Sequence, residues 1–161
     1  MLYCIHDRVK HTALVEIMKE VGLDSRDVRI IANLYWNQTA HVNIAGNKTE
    51  KTKIQRGVRQ GCVLSPPLFN IYSEKIFQEA LEGFPEGIKI NGKTVNNIRY
   101  ADDTVILASS LEELQTLLKK INATNVKYGL NLNTSKTKYM TISKNALPPM
   151  VLPLDQETRT S

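Results

Sequence analysis

Cysteines and long apolar runs are scarce in this sequence, and each scarcity excludes a class of protein. Its 161 residues include two cysteines, Cys4 and Cys62. Their spacing suits neither a metal site nor a redox motif, so we expect unpaired thiols in a reducing compartment. No apolar run approaches the roughly 20 residues that cross a bilayer, and the N-terminus lacks the apolar core of a signal peptide. We therefore expect an intracellular protein, in the cytoplasm or the nucleus, that contacts no membrane.

The sequence also contains no zinc-binding motif, no catalytic triad spacing of histidine and no glycine-rich phosphate loop. His6, His11 and His41 have no partner at a metal or triad spacing. What is present is a chain of single-domain length, with 42% apolar residues, 23% charged residues and a net charge of +5. These values are ordinary for a globular protein. The basic balance favours an anionic partner such as nucleic acid.

Apolar periodicity in the first half predicts helices and a hairpin. Apolar residues at helical spacing stop at Gly22, and a second helix is expected to begin with Asp24 or Ser25 as its N-cap. Residues 40–57 alternate around a turn and predict a β-hairpin. A long helix is expected within residues 64–84, with Ser65 as its cap and the proline that follows in its first turn.

The second half predicts strands around one more helix. Strands are expected at residues 88–90, at 98–108 on both sides of an acidic pair, and at 136–143, with a leucine-rich helix before the last of these. This order predicts an α+β fold, an antiparallel sheet with helices packed on one face. We expect one domain over residues 1–145. Residues 146–161 contain three prolines and predict a poorly ordered or incomplete tail.

The acidic pair lies in NNIRYADDTVILA, residues 96–108, where Asp102 and Asp103 are adjacent between apolar runs. The simplest geometry puts both at the tip of a tight hairpin, and an ordinary turn is one interpretation because Asp is common in turns. However, two-residue hairpin turns favour Gly or Asn, and adjacent carboxylates repel each other. A divalent cation would remove that repulsion, and Mg²⁺ is bound by one or two carboxylates together with substrate phosphates.

Two further motifs flank this hairpin in order: RQGCVLSPPLFNIY at residues 59–72 and GLNLNTSKTK at residues 129–138. Together the three resemble the reverse transcriptases of non-LTR (LINE-type) retrotransposons, in which Gln-Gly-x-x-x-Ser-Pro, Tyr-Ala-Asp-Asp and Gly-Leu-x-x-Asn-x-x-Lys-Thr follow one another. The resemblance covers residues 7–144. It implies a polymerase palm and RNA-directed DNA synthesis with an RNA template, a DNA primer and deoxynucleoside triphosphates.

The resemblance also implies roles for single residues. Asp102 would be the direct ligand of the catalytic Mg²⁺ (Mn²⁺ is possible), Asp103 a supporting acid at the metal, and Lys136 a partner of the leaving pyrophosphate. The implied surface for the nucleotide and the templating base consists of Gln60, Gly61, Ser65, Pro66, Tyr100 and Ala101. Structural alternatives stay open: helix capping for Ser65 and Pro66, which is compatible with the first role, strand packing for Tyr100, and a solvated charge for Lys136.

Basic residues cluster in the segment that leads into the motif at residues 59–72. The cluster, called the basic hairpin below, consists of Lys48, Lys51, Lys53, Arg56 and Arg59. Such a patch suits contacts with template phosphates. The alternative is an ordinary solvated hairpin.

The sequence departs from the family pattern at two places. Pro67 replaces a large apolar residue. DRVKH, residues 7–11, matches the end of a segment whose first catalytic aspartate would fall at Met1. We therefore expect a palm truncated at its N-terminal strand, with weak or no polymerase activity in this chain alone. The exposed sheet edge could pair with a missing palm or fingers segment or with another copy.

A different interpretation is a non-catalytic nucleic-acid-binding module derived from a reverse transcriptase. Another palm-type metal enzyme, such as a nucleotide cyclase, is a weaker alternative because the segment from Gln60 to Pro66 argues against it.

Overall fold

The computed structural model describes residues 7–36, 38–85, 87–100 and 103–143, and these contain helices and short strands. The helices are α1 (His11–Glu20), α2 (Ser25–Tyr35), α3 (Ser65–Leu81) and α4 (Leu111–Lys127). The strands are β1 (Thr39–Ala40), β2 (Asn43–Ile44), β3 (Asn47–Lys48), β4 (Thr52–Lys53), β5 (Ile88–Ile90), β6 (Lys93–Val95), β7 (Asn97–Tyr100) and β8 (Asp103–Ile106). The predicted mixed α+β class is confirmed. The predicted tail at 146–161 lies outside the described residues.

Helices α1 and α2 pack against each other, and the connection between them follows from local chemistry. Gly22 adopts φ +87°, a left-handed conformation that glycine reaches at no steric cost. Asp24 then caps α2, because its side chain accepts a hydrogen bond of 2.7 Å from the backbone N–H of Arg26. The predicted turn is confirmed, and of the two predicted caps, Asp24 and Ser25, it is Asp24 that caps the helix.

Helix α3 begins one residue earlier than predicted, and Ser65 is not its N-cap. The N-cap is Leu64, which makes no side-chain capping bond, and the Pro66 predicted in the first turn is confirmed. The hydroxyl of Ser65 instead donates to the carbonyl of Arg59 at 2.5 Å. The cap prediction was wrong because Ser65 is buried and its hydroxyl turns back to the preceding loop rather than to the free N–H groups of the helix.

The main core lies where α1, α2 and α3 meet. Its buried side chains are Val9, Leu14, Ile17, Met18, Val28, Tyr35, Val58, Leu68, Phe69, Tyr72, Ile76 and Leu130. A smaller cluster of Phe77, Ala80 and Ile121 joins α3 to α4 and receives Ile106 of β8 at its edge. Helix α3 contributes to both clusters, so it is the element on which the rest of the described fold is assembled.

The described strands pair two by two, all antiparallel: β1 with β4, β2 with β3, β5 with β6, and β7 with β8. The hairpin predicted for residues 40–57 is confirmed as two nested pairs, with β2 and β3 inside β1 and β4. The single sheet expected from the strand order is not formed by the described strands. The strand predicted at 136–143 was wrong, since Met140 and Ile142 are 82% and 89% exposed and no described strand pairs there.

Candidate functional site

The acidic hairpin is formed by β7 and β8. Tyr100 is paired with Asp103, and Ile98 with Val105. Asp103 is therefore the first residue of β8 and not part of the turn, which corrects the expected position of this acid at the tip. Ala101 and Asp102 lie outside the described residues, so their roles stay predictions.

The two faces of this hairpin differ in environment. On the inner face, Arg99 lies over the ring of Phe77 at 4.7 Å and donates to the carboxylate of Glu74 at 2.6 Å, which fastens β7 to α3. On the outer face, Tyr100 is 84% exposed and Asp103 is also exposed. Because alternate residues of a strand share a face, α3 holds the hairpin so that the Asp103 carboxylate is open to a ligand.

The loop before α3 is held against the chain segment that precedes α1. The backbone N–H of Gly57 donates to the carbonyl of Val9 at 2.8 Å. Gly57 has φ +98°, and a Cβ there would lie 3.0 Å from the Cα of Asp7, so both the conformation and the space require glycine. This approach brings Gln60 close to Asp7, with Nε2 3.4 Å from Oδ1.

The remaining residues predicted at the start of α3 have different surroundings. Gly61 adopts φ +79° with open space around it, so its backbone conformation rather than crowding favours glycine. Pro66 is exposed. Ser65 is 3% exposed, and its hydroxyl donates to the carbonyl of Arg59, so it anchors the loop before α3 instead of capping the helix.

Lys136 lies in a turn that Asn133 organises. Asn133 is buried, and its side-chain oxygen accepts from the hydroxyl of Ser135 at 2.7 Å and from the backbone N–H of Lys136 at 3.3 Å. Its carbonyl also accepts from the hydroxyl of Thr137 at 2.7 Å. Lys136 itself is exposed and forms no ion pair within the described part of the chain. The asparagine was quoted in the motif but not predicted as the turn's anchor, although this local bonding is typical of Asn.

Tyr72 joins three parts of the chain that are distant in sequence, and the sequence interpretation missed this role. Its hydroxyl donates to the carbonyl of Tyr128 at 2.6 Å and accepts from the backbone N–H of Lys10 at 3.4 Å. Burial raises the pKa of Tyr72 to about 12. The start of the described chain, α3 and the end of α4 are therefore held at one buried hydroxyl.

A carboxylate on α3 reinforces this junction. Glu79 accepts from Lys127 at 2.5 Å and from the hydroxyl of Tyr128 at 2.8 Å, and these contacts, that of Lys127 first, hold the pKa of Glu79 below its usual value. Burial, and then the bond to Glu79, raise the pKa of Tyr128 to about 12. The segment that leads to Lys136 thus starts from a well-anchored helix end.

The structure brings some of the predicted site residues together and leaves others apart. Gln60 meets Asp7, and Tyr100 is paired with Asp103. Among the described residues, no hydrogen bond or ion pair joins Asp103 to Gln60 or to Lys136. Nor do the described residues contain a group of three His, Cys, Asp or Glu side chains that could hold a metal ion. Asp103 is the one described member of the predicted metal pair.

The basic hairpin lies on the surface. All five of its cationic residues are exposed, with Lys48 in β3 and Lys53 in β4. None of the five is ion-paired with a carboxylate in the part of the chain that the structure describes. Its charges are therefore available to an anionic partner. None of the described helices has the length and apolar character needed to cross a membrane.

Comparison with known proteins identifies the class to which this fold and these motifs belong. Residues 4–159 match the family described as reverse transcriptase (RNA-dependent DNA polymerase), and the chain belongs to that family. Its relatives include the Pol polyprotein of the type-1 retrotransposable element R2 of Bradysia coprophila, which is 36% identical over 83% of the chain. The Pol polyprotein of the type-2 element R2DM of Drosophila melanogaster is 29% identical over 81% of the chain.

A third relative is the RNA-directed DNA polymerase from the mobile element jockey of Drosophila funebris, which is 25% identical over 85% of the chain. The resemblance to non-LTR retrotransposon reverse transcriptases is thereby confirmed. The chain spans 15%, 12% and 15% of the lengths of these three relatives.

Proposed function

We propose that this chain forms part of the palm of a retrotransposon reverse transcriptase. In this role it contributes to nucleotidyl transfer from a deoxynucleoside triphosphate to a DNA primer on an RNA template. The observation that carries the proposal is the acidic hairpin, which α3 holds with Asp103 exposed on its outer face. Two further observations add support: the contact between Gln60 and Asp7, and the turn that presents Lys136.

Reverse transcriptases generally use divalent metal ions, and the donor chemistry of the hairpin fits a hard cation. Carboxylate oxygens are the ligands that Mg²⁺ prefers, and the carboxylate of Asp103 has no hydrogen-bond or ion-pair partner among the described residues. We assign the metal to Asp102 and Asp103, with Mn²⁺ as a possible substitute. When bound, such an ion supplies electrostatic stabilisation of phosphoryl oxygens.

The chain's other residues would bind and orient the substrates. Gln60 and Gly61 offer an amide and an open backbone next to Asp7, and the exposed ring of Tyr100 lies beside Asp103. Lys136 is an exposed ammonium group suited to a departing pyrophosphate. The basic hairpin suits the phosphates of the template. We place this activity inside the cell, where the RNA template is found.

Metal binding is the first measurement that tests the proposal. Mn²⁺ titrations followed by electron paramagnetic resonance are expected to reveal a site that Asp102→Asn and Asp103→Asn each weaken. Asp27→Asn removes an exposed carboxylate from the first turn of α2 and is the matched control. A Mn²⁺ affinity that neither hairpin substitution changes would contradict the metal assignment.

Primer extension on an RNA template tests the chemistry itself. Any Mg²⁺-dependent synthesis should be lost in Asp102→Asn, because losing one electrostatic element of an active site typically costs roughly 100- to 1,000-fold in rate. Synthesis that survives Asp102→Asn would refute the role of the pair.

A second candidate function is nucleic-acid binding without catalysis, which is favoured by the unpaired charges of the basic hairpin. It predicts salt-sensitive binding of RNA or DNA that persists in Asp102→Asn. The same binding should weaken when Lys51, Lys53 and Arg56 are changed to Ala. Equal binding by this triple variant and the wild type would exclude it.

A further inference from the structure

A cavity of about 430 Å³ opens between α1, the end of α2 and β4. Its lining includes Tyr35, Trp36, Gln38, Lys53, Gln55 and Arg56, and it is called the Trp36 groove below. The pairing of Thr39 with Lys53 and the bond of 2.9 Å from the N–H of Ile54 to the carbonyl of Gln38 hold β4 beside the end of α2. The volume falls within the range of roughly 300–1,000 Å³ that is typical of small-ligand sites.

The charge of the Trp36 groove favours an anionic ligand. Its lining contains the cationic residues Lys10, Lys53 and Arg56 and no carboxylate. The ammonium group of Lys10 already donates to the carbonyl of Lys127 at 2.9 Å. Lys53 and Arg56 have no such partner within the described residues, so two cations remain available to a ligand.

The aromatic side chains of the groove favour a ligand with a flat ring. Trp36 is the single tryptophan of the chain and is 43% exposed. Tyr35 is buried against the ring of His11, with a centroid distance of 5.3 Å, and its hydroxyl has no hydrogen-bond partner among the described residues. An exposed indole is a suitable surface for stacking a nucleobase. The amides of Gln38 and Gln55 add donors and acceptors for the edges of a base.

We propose that the Trp36 groove holds an unpaired nucleotide of a single-stranded nucleic acid, with the base stacked on Trp36 and the phosphates on Lys53 and Arg56. A free phosphate would leave the indole unused, and an apolar ligand would leave the two cations unused. A duplex keeps its bases stacked inside the helix, so it cannot offer one to the indole. This inference rests on the proposed function in one respect, namely that the basic hairpin contacts a nucleic-acid strand.

The single tryptophan makes the test direct, because its fluorescence reports on this groove alone. We expect saturable quenching by oligo(dT) and oligo(rU) of eight nucleotides, and weaker quenching by a duplex of the same length. Binding should weaken as salt rises. Thymidine triphosphate and inorganic phosphate are separate arms. Quenching by the free nucleotide at the same affinity as by the strand would overturn the assignment to a strand.

Substitutions separate stacking from charge. Trp36→Ala, followed by fluorescence anisotropy of a labelled oligonucleotide, should weaken binding by roughly 5- to 150-fold, the usual range for the loss of one stacked base. Trp36→Phe should recover part of this loss. Lys53→Ala and Arg56→Ala should also weaken binding, whereas Lys93→Ala, an exposed charge in β6, serves as the matched control.

The possible failures can be told apart. If oligonucleotides bind without quenching Trp36 and Trp36→Ala keeps its affinity, the inference is wrong while the proposed function stands. If no single strand binds at all, both the inference and the template contact of the basic hairpin are refuted. Metal binding by Asp102 and Asp103 is independent of either result. The quenching measurement uses the wild-type chain, so it does not depend on whether a variant folds.

Discussion

Tyr72→Phe is the substitution that tests most directly how the three motif-bearing segments are held together. It removes one buried hydroxyl and keeps the ring, so the apolar packing of Tyr72 in the main core is retained. The carbonyl of Tyr128, 2.6 Å away, loses its donor, and the N–H of Lys10, at 3.4 Å, loses its acceptor. Two part-buried hydrogen bonds are lost, each with a net contribution of about 0.5–1.5 kcal/mol, which makes about 1–3 kcal/mol together. We expect the free energy of unfolding at pH 7, measured by urea denaturation, to fall by that amount.

The dependence on pH gives a second, independent magnitude. The pKa of Tyr72 rises from 10.0 to about 12 in the folded state. Above pH 10 the unfolded chain therefore loses this proton while the folded chain keeps it, and stability falls as pH rises toward 12. For this shift the loss is about 1.4 kcal/mol at pH 11. The phenylalanine of the variant cannot titrate, so the difference between wild type and variant should shrink by about that amount between pH 7 and pH 11.

Urea titrations at the two pH values, on wild type and Tyr72→Phe, measure both terms. Tyr100→Phe is the matched control, because Tyr100 is 84% exposed and its hydroxyl contributes nothing to the core. Tyr128 is present in both the wild type and Tyr72→Phe, so its contribution to the pH dependence of stability cancels to first order in the comparison. A stability difference that is the same at pH 7 and pH 11, or that is absent at pH 7, would refute the assignment of Tyr72 as the buried junction.

Two further predictions concern how the site is positioned. Gly57→Ala should lower the free energy of unfolding by more than Gly61→Ala does. In both variants the left-handed backbone costs roughly 1–2 kcal/mol. Of the two, only the new Cβ at Gly57 would contact backbone, at 3.0 Å from the Cα of Asp7. Equal losses in the two variants would contradict the close approach. Arg99→Ala should increase amide hydrogen exchange in β7 and β8 and weaken Mn²⁺ binding, because it removes the contacts that fasten the hairpin to α3, which are worth about 1 kcal/mol. Unchanged exchange in the hairpin would refute this attachment.

Local patterns in the sequence were sufficient for most of the helices and hairpins. Helical spacing, the Asp24 cap and the proline in the first turn of α3 depend on residues within one or two turns of one another, and the structure confirms them. The order of three short motifs was sufficient to recognise the reverse transcriptase family, which the comparison confirms. The Ser65 cap failed because its hydroxyl donates to the carbonyl of Arg59 in the loop before the helix. Residues 136–143 alternate like a strand, but no strand is assigned there in the described part of the chain.

The sequence by itself determined the class of protein, the hairpin that carries the acidic pair and the charge of the basic hairpin, because these follow from residue type and short-range spacing. Tertiary structure decided which groups share a surface. It brought Gln60 to Asp7, the Tyr72 hydroxyl to the carbonyl of Tyr128, and Trp36 beside Lys53. Each of these depends on where a separate segment crosses in space. Such crossings are set by the packing of α1, α2 and α3 around their common core and have no signature in local sequence.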